Sequence, residues 1–191
     1  MKSPFFISYL ITDPIEYGYT ALKLEQTIRN RVNKHNIDMI CFRDKLSNDI
    51  EALAIAVLST SKELNISKVI INNNIKLAVK LGFDGVHLTS EQFDKINIAK
   101  KYNLYTIISC HTEDEVILAK EYGVDAITYS PIFYKENKGQ PKGIENLKNI
   151  IFKYQNDNFR IIALGGIISK ENILQVKSTG VAGFASIRYF R

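Results

Sequence analysis

Residues 82–86 (Gly-Phe-Asp-Gly-Val), 123–127 (Gly-Val-Asp-Ala-Ile) and 180–184 (Gly-Val-Ala-Gly-Phe) are three versions of one phrase, and they decide the fold. Each phrase follows a helix-like segment and leads straight into an apolar run. Its first glycine can adopt the left-handed conformation that ends a helix. Each phrase therefore predicts that a helix stops and a buried strand starts at once. Their recurrence predicts one helix-then-strand unit that repeats along the chain.

Outward from these phrases, apolar runs alternate with helix-like segments over the whole chain. Between the runs, apolar residues recur at helical spacing, as at Ala21, Leu24 and Ile28. Strict alternation predicts a parallel sheet with right-handed crossovers, and eight strands close a barrel rather than form an open sheet. The eight runs are typical of strands buried on both faces: 5–12, 39–43, 68–72, 85–88, 105–111, 126–130, 160–164 and 183–187.

The sequence thus predicts one α/β domain over residues 1–191, a compact (β/α)8 TIM barrel. No linker rich in Pro, Gly or Ser divides the chain. Because only residues 188–191 follow the eighth predicted strand, we expect the last helix to be truncated or missing. Its absence would leave an apolar patch, which predicts a homodimer contact because large apolar patches seldom stay exposed.

Composition favours a cytoplasmic protein with a small ligand. No run approaches the roughly 18 apolar residues of a membrane span, and no signal-peptide cleavage pattern is present. The two cysteines, Cys41 and Cys110, are far apart, which argues against a disulfide scaffold or a zinc site. The formal charge of +5 comes from scattered Lys and Arg residues, so we expect neither a nucleic-acid nor a membrane partner.

Two features near strand ends suit phosphorylated ligands, because a TIM-barrel site forms at the carboxyl ends of the strands. Gly165 and Gly166 follow the seventh strand, where backbone N–H groups can approach a phosphate, and Arg188 can add charge there. The alternative is a plain tight turn. Arg43 and Lys45 lie two apart after the second strand and suit a diphosphate or a carboxylate. Their alternative is a rim salt-bridged by Asp44 or Asp13.

Two side-chain types, histidine and cysteine, could move a proton. His87 lies near the end of the fourth strand, where an acid–base role and a core role are equally favoured. His111 heads a helix, so we expect a structural role there, and we expect His35 to be solvent-exposed. Cys41 and Cys110 could act as acid–base groups, but small buried cysteines are more common.

The strand ends resemble those of the thiamine-phosphate synthase/TenI superfamily over nearly the whole chain. The resemblance rests on a series of phrases in the right order. They are CFRDK at 41–45 for the family's QLREK, INN at 71–73 for IND, DGVHLTSEQ at 84–92 for DGVHLGQED, SCHT at 109–112 for SxHT, SPIF at 130–133 for GPxF and ALGGI at 163–167 for AIGGI.

The resemblance implies a site for thiazole phosphate in a thiamine-biosynthesis protein. It implies a proton shuttle among His87, Cys41 and Ser109 if the chain is a tautomerase. With the strand ends, it implies substrate contacts at nine positions: Tyr9, Arg43, Lys45, Asn72, Lys138, Gly165, Gly166, Ile187 and Arg188.

Departures from the family pattern distinguish between activities. The family's Mg²⁺-binding aspartates fall at Asn73 and Gln92, two neutral amides that should bind Mg²⁺ poorly. Cys41 replaces the glutamine that contacts the pyrimidine, and the Thr-x-Thr-Lys loop keeps only Lys138. Pro131 stands where TenI proteins have their catalytic histidine. We therefore expect a site that uses no metal or other cofactor.

Three functions remain open at this point. The first is a metal-independent TenI-like thiazole tautomerase, which aromatises thiazole phosphate carboxylate by proton transfer. The second is a thiamine-phosphate synthase that condenses pyrimidine diphosphate with thiazole phosphate and uses Mg²⁺. The third is a non-catalytic protein that binds thiazole phosphate or thiamine phosphate, since a fold alone does not fix a function.

Overall fold

Eight parallel strands close into one barrel in the computed structural model, which describes residues 6–135 and 139–191. The strands pair in chain order, and β1 also pairs with β8. They are β1 (Ile7–Ile11), β2 (Met39–Phe42), β3 (Lys68–Asn72), β4 (Gly85–Leu88), β5 (Tyr105–Cys110), β6 (Ala126–Tyr129), β7 (Arg160–Leu164) and β8 (Gly183–Ser186). The predicted (β/α)8 barrel is confirmed, and every strand after β1 begins at the predicted residue.

Helices connect the consecutive strands and cover the barrel. They are α1 (Pro14–Tyr17), α2 (Ala21–Lys34), α3 (Ile50–Glu63), α4 (Ile75–Leu81), α5 (Ile96–Lys101), α6 (Glu113–Glu121), α7 (Gly143–Tyr154) and α8 (Lys170–Lys177), and a 3-10 turn, Phe93–Lys95, precedes α5. A capping box between Thr112 and Glu115 begins α6. None of the helices in the described ranges is long and apolar enough to cross a membrane.

One hydrogen-bonding device recurs at the amino-terminal ends of the strand pairs. Asp38, which precedes β2, accepts the N–H of Ser8 at 2.8 Å. Asp84, in the phrase before β4, accepts the N–H of Val69 at 2.7 Å. Each aspartate thus ties its own strand to the second residue of the strand before it.

The same device continues around the barrel with one change of residue. Asp125 accepts the N–H of Thr106 at 2.8 Å, which ties β6 to β5. The third phrase has Ala182 instead of an aspartate, and the Gln155 amide oxygen accepts the N–H of both Ile161 and Ala182, at 3.2 and 3.0 Å. Four side chains therefore join the strands in pairs, and the repeated phrase of the sequence supplies two of them.

The barrel interior is packed with alternating residues of the strands. Tyr9 and Cys41 point inward and are fully buried, whereas Leu10 and Ile40 point outward and pack under the helices. The interior cluster consists of Ile7, Tyr9, Ile11, Met39, Cys41, Ile70, Ile107, Ala126, Ile162 and Ala185. A packed interior means that a ligand has room only at the rim.

The segment after β8 replaces the missing helix. In the described residues after Ser186 no helix occurs, as predicted. The rings of Tyr189 and Phe190 instead pack on Phe184, with ring centroids 5.5 and 5.7 Å apart, and Phe190 is fully buried. His35, predicted to be exposed, packs edge-on against Phe190. The chain itself covers this patch, so the homodimer contact loses its stated basis and stays a prediction.

Replacing Asp38 by Ala tests the strand-pairing device. The carboxylate is buried and accepts a backbone N–H, so its loss leaves the Ser8 N–H without an acceptor. We expect the free energy of unfolding to fall by about 1.5–3 kcal/mol, as for other hydrogen bonds to buried charged groups. Urea denaturation measures this change. Asp157→Ala, at an exposed position, is the control and should change the value by less than about 0.5 kcal/mol. Equal effects of the two substitutions would contradict the device.

Candidate active site at the carboxyl ends of the strands

Two adjoining cavities open at the rim where the strands end. The main cavity has a volume of about 390 Å³, and the side cavity one of about 230 Å³. They share Lys135, Leu164, Gly165 and Ile187. The main cavity is otherwise lined by Ile11, Arg43, Lys45, Asn72, His87, Thr89, Ser90, Glu91, Ser109, His111, Ser130 and Pro131. The side cavity is otherwise lined by Asp13, Ile15, Glu16, Gly166, Ile167, Ile168, Ser186 and Arg188.

Most of the predicted site residues meet at these cavities. Arg43, Lys45, Asn72, His87 and Ser109 line the main cavity. Gly165, Gly166, Ile187 and Arg188 line the side cavity. Tyr9 and Cys41 lie beneath the main cavity in the barrel interior, and Lys138 lies outside the described residues.

The turn at Gly165 and Gly166 requires glycine at both positions. Both residues have left-handed backbone angles, with φ of 96° and 72°. A Cβ on Gly166 would lie 2.7 Å from the Tyr134 carbonyl oxygen, and one on Gly165 would lie 2.8 Å from Pro131 Cα. The loop after β6 is bonded to the turn through the Phe133 N–H and the Gly165 carbonyl, at 3.0 Å. The turn is therefore held tightly against its neighbouring loop.

Backbone N–H groups around the side cavity are available to an anion. Within the described ranges, the N–H groups of Gly166, Ile187 and Arg188 donate to no protein acceptor. Ser186 fixes the facing loop, because its hydroxyl donates to the Ile167 carbonyl at 2.8 Å and accepts the Tyr189 N–H at 3.1 Å. Free N–H groups beside two glycines and an arginine suit a phosphate.

The two cations of the main cavity differ in their partners. Arg43 forms an ion pair with Asp13 at 2.8 Å, one of the two partners named as its alternative. Asp44 instead accepts the N–H groups of Leu46 and Ser47, so it does not hold Arg43. Lys45 is exposed and has no ion pair in the described part of the chain. Lys45 is thus the freer of the two cations for a bound anion.

A buried polar network forms the floor of the main cavity. The Tyr9 hydroxyl lies 3.1 Å from His87 Nδ1, and the Ser109 and Thr128 hydroxyls lie 3.1 and 3.3 Å from His87 Nε2. Burial, together with the charge of Arg43, lowers the pKa of His87 from 6.5 to about 4. His87 is therefore neutral near pH 7, and both of its ring nitrogens are engaged.

Cys41 and Cys110 lie away from the ligand space. Both are buried free thiols that line neither cavity. Burial raises the pKa of Cys41 to about 12 and also raises that of Cys110. A proton shuttle through Cys41 has no direct path to a ligand in the main cavity, because the side chain belongs to the packed interior.

His111 is the histidine with a free ring nitrogen in the main cavity. Its Nδ1 lies 3.0 Å from the Ser130 carbonyl, which can only accept, so Nδ1 carries the hydrogen. No group of the described residues bonds Nε2, so this nitrogen is an acceptor without a protein partner on a residue that lines the cavity. The contact with Ser130 agrees with the structural role expected from the sequence, whereas the place of His111 on the cavity was not predicted. The sequence signal for this place is that His111 lies two positions after Ser109 at the end of a strand, so both side chains face the same side.

The residues at the family's metal positions do not fit Mg²⁺. Gln92 Nε2 donates to Asn73 Oδ1, and Gln92 Oε1 accepts the Thr89 N–H at 3.0 Å. Both amide oxygens are therefore occupied by protein donors, and neither carries charge. No group of three or more His, Cys, Asp or Glu side chains that could hold a metal ion occurs in the described ranges. The bond from the Thr89 N–H to Gln92 Oε1 is one half of a capping box, and only a 3-10 turn follows it.

The lowered pKa of His87 predicts an acid-sensitive fold. Between pH 6.5 and about 4 the unfolded chain binds a proton at this histidine and the folded chain does not. The free energy of unfolding should fall as the pH falls through this window, by up to about 1.4 kcal/mol per pH unit. His87→Gln should remove this part of the slope in urea denaturation at pH 7, 6, 5 and 4.5. The carboxylates contribute equally to both proteins, so parallel curves would contradict the assignment.

Comparison with known proteins agrees with the family resemblance and with the fold. A sequence profile described as thiamine monophosphate synthase matches residues 8–190. A thiamine-phosphate synthase of Caldicellulosiruptor bescii is 31% identical over 193 residues, covering 94% of this chain and 83% of that protein. One of Proteus mirabilis is 30% identical and covers 94% and 80%. One of Latilactobacillus sakei is 37% identical over 124 residues, which span 54% of its length.

A solved structure shares the fold over nearly the whole chain. The thiamine phosphate pyrophosphorylase from Pyrococcus furiosus superposes with a TM-score of 0.79 and covers 95% of this chain and 85% of its own, at 22% identity. At this identity the likeness concerns the fold. The profile match over residues 8–190 and the relatives at 30–31% identity show that the chain belongs to the thiamine monophosphate synthase family.

Proposed function

We propose that the chain is a thiamine-phosphate synthase that joins a pyrimidine diphosphate to thiazole phosphate and releases pyrophosphate. The observation that carries this proposal is the pair of adjoining cavities, each with its own anion-binding features. A transferase for two phosphorylated substrates needs two such places side by side. An isomerase acting on one substrate needs only one.

The side cavity suits the thiazole phosphate. The glycine turn and the loop after β8 present free N–H groups, and Arg188 adds a positive charge. Such a nest binds a phosphate without a metal ion. The apolar side chains of Leu164 and Ile187, shared by both cavities, then offer a surface for the thiazole ring.

The main cavity suits the pyrimidine diphosphate. Lys45, Asn72 and Ser109 supply one charged and two neutral polar groups to it, and Arg43 adds a second charge that Asp13 partly balances. Its volume of about 390 Å³ is in the range of small-ligand sites. In the condensation, the carbon–oxygen bond to the diphosphate breaks, its electron pair leaves with pyrophosphate, and the thiazole nitrogen bonds to that carbon. The protein's part is to hold both partners in line and exclude water.

The thiazole tautomerase is supported less well than the synthase. The relatives that match over most of the chain are named synthases. Of the three candidates for the proton shuttle, Cys41 lies outside the cavity and His87 has both nitrogens engaged. Ser109 has no base beside it other than that engaged histidine. His111 Nε2, on the main cavity, is a further candidate acid–base group for such a reaction.

The direct test is product formation from both substrates. Purified protein with pyrimidine diphosphate and thiazole phosphate should yield thiamine phosphate and pyrophosphate, measured by chromatography with fluorescence detection after oxidation. The same protein is given thiazole phosphate carboxylate alone, and its ultraviolet spectrum is followed for tautomerisation. Tautomerisation without condensation would overturn the proposal in favour of the isomerase. Binding of thiazole phosphate with neither reaction would overturn it in favour of a binding protein.

Gly166→Ala should separate the two cavities. The new Cβ would meet Phe133 and the Tyr134 carbonyl at 2.7 Å, so the turn must move and its N–H leaves the phosphate. We expect the KM for thiazole phosphate to rise about tenfold or more, with little change in the KM for pyrimidine diphosphate. Gly180→Ala is the matched control, because Gly180 is also left-handed, with φ of 81°, and has open space around it. An equal rise in both KM values would contradict the assignment of the side cavity.

A further inference from the structure

The orientation of the Asn73 and Gln92 amides, here called the amide pair, is fixed by the backbone. The Thr89 N–H can only donate, so the Gln92 oxygen must face it, at 3.0 Å. The Thr89 hydroxyl lies 3.2 Å from the same oxygen. The Gln92 nitrogen is thereby turned toward Asn73 and donates to its Oδ1. Both oxygens of the amide pair therefore accept hydrogens from protein donors.

The groups of the amide pair that remain available to a ligand are hydrogen-bond donors. Asn73 Nδ2 has no acceptor among the described residues, and Gln92 Nε2 has a second hydrogen beyond the one given to Asn73. The Asn73 backbone is anchored as well, since its N–H donates to the His87 carbonyl at 3.0 Å, with φ of 61°. A pair of carboxylates at these positions would present oxygens to a cation. The amide pair instead presents N–H donors, which suit an anion and not a cation.

The charges around the amide pair are mainly positive. Lys45 lines a cavity with Asn73, and Lys76 and Lys95 line a neighbouring cavity with the same residue. Asp44 also lines the first cavity, but its carboxylate accepts two backbone N–H groups and the Ser47 hydroxyl. Glu91, on the rim of the main cavity, is exposed to solvent. These surroundings favour an anion over a divalent cation.

We infer that the amide pair is an anion-binding site made of hydrogen-bond donors. It binds phosphate oxygens of the diphosphate substrate directly and without a divalent cation. The inference rests on the proposed function, in that the substrate carries a diphosphate. Asn73 Nδ2 and Gln92 Nε2 donate to the phosphate oxygens, and Lys45, which lines both the main cavity and the cavity beside Asn73, supplies the charge. The side chains at the family's metal positions thus bind the substrate directly and not through a metal ion.

The test measures binding of inorganic pyrophosphate and of Mn²⁺, independently of turnover. Calorimetry with the wild-type chain in EDTA should show pyrophosphate binding. Electron paramagnetic resonance should show no stoichiometric Mn²⁺ binding. The double variant Asn73→Asp with Gln92→Glu replaces each amide NH₂ by an oxygen and little else. It should bind pyrophosphate about tenfold or more weakly in EDTA, because two like charges face the anion, and it should gain Mn²⁺ binding.

A matched control makes the same two chemical changes elsewhere. Asn30→Asp with Gln26→Glu alters two exposed residues on α2, four positions apart, and adds the same charge. It should leave pyrophosphate binding within about twofold of the wild type, because α2 lines none of the cavities beside the amide pair and salt screens its exposed charges. An equal loss in both double variants would assign the effect to net charge and overturn the inference.

The outcomes separate this inference from the proposed function. Stoichiometric Mn²⁺ binding by the wild-type chain, abolished by Asn73→Ala, would overturn the inference whether or not thiamine phosphate forms. Pyrophosphate binding in EDTA that is unchanged in the Asn73→Asp, Gln92→Glu variant would overturn it as well. Metal-free pyrophosphate binding that depends on the amide pair supports the inference even if the condensation assay fails, which would reject only the synthase.

Discussion

Closure of the parallel barrel is the constraint on which the rest of this structure depends. Once β1 pairs with β8, all eight carboxyl ends lie on one rim, and side chains far apart in sequence become neighbours. The amino-terminal ends are held by Asp38, Asp84, Asp125 and Gln155, each of which joins an even-numbered strand to the odd-numbered strand before it. These side chains lie at the rim opposite the cavities. One rim therefore joins the strands, and the other carries the candidate site.

The buried network beneath the main cavity connects the core to the site. His87 is placed by a strand register that sets it beside Asn72 on β3 and Ile107 on β5. Its contacts with Tyr9, Ser109 and Thr128 satisfy polar groups that burial would otherwise make costly. This arrangement fixes the Ser109 hydroxyl at the cavity floor. A neutral His87 is well suited to positioning, and it leaves His111 as the more exposed acid–base group.

The residues that depart from the family pattern each have a defined place in the structure. Asn73 and Gln92 bond to each other rather than standing as two separate failed ligands. Cys41, in place of a longer glutamine, points into the packed interior beside Tyr9. The side cavity keeps the glycine turn, and the N–H groups of Gly166, Ile187 and Arg188 around it have no acceptor in the described residues. The chain therefore keeps the glycine turn of the family pattern and differs from it at the residues of the metal positions.

The sequence alone determined the architecture and the order of the rim. Glycine phrases, apolar runs and helical spacing are local patterns, so they fixed where β2 to β8 begin and which residues follow each strand. The sequence also named two aspartates, Asp13 and Asp44, as alternative ion-pair partners of Arg43. Only the tertiary structure paired Arg43 with Asp13 and not with Asp44, and bonded His111 Nδ1 to the Ser130 carbonyl. Only the tertiary structure, too, packed Tyr189 and Phe190 on Phe184 and joined Asn73 to Gln92. These outcomes depend on distances between side chains of different strands and loops, which are set by barrel closure and carry no local signal in the chain.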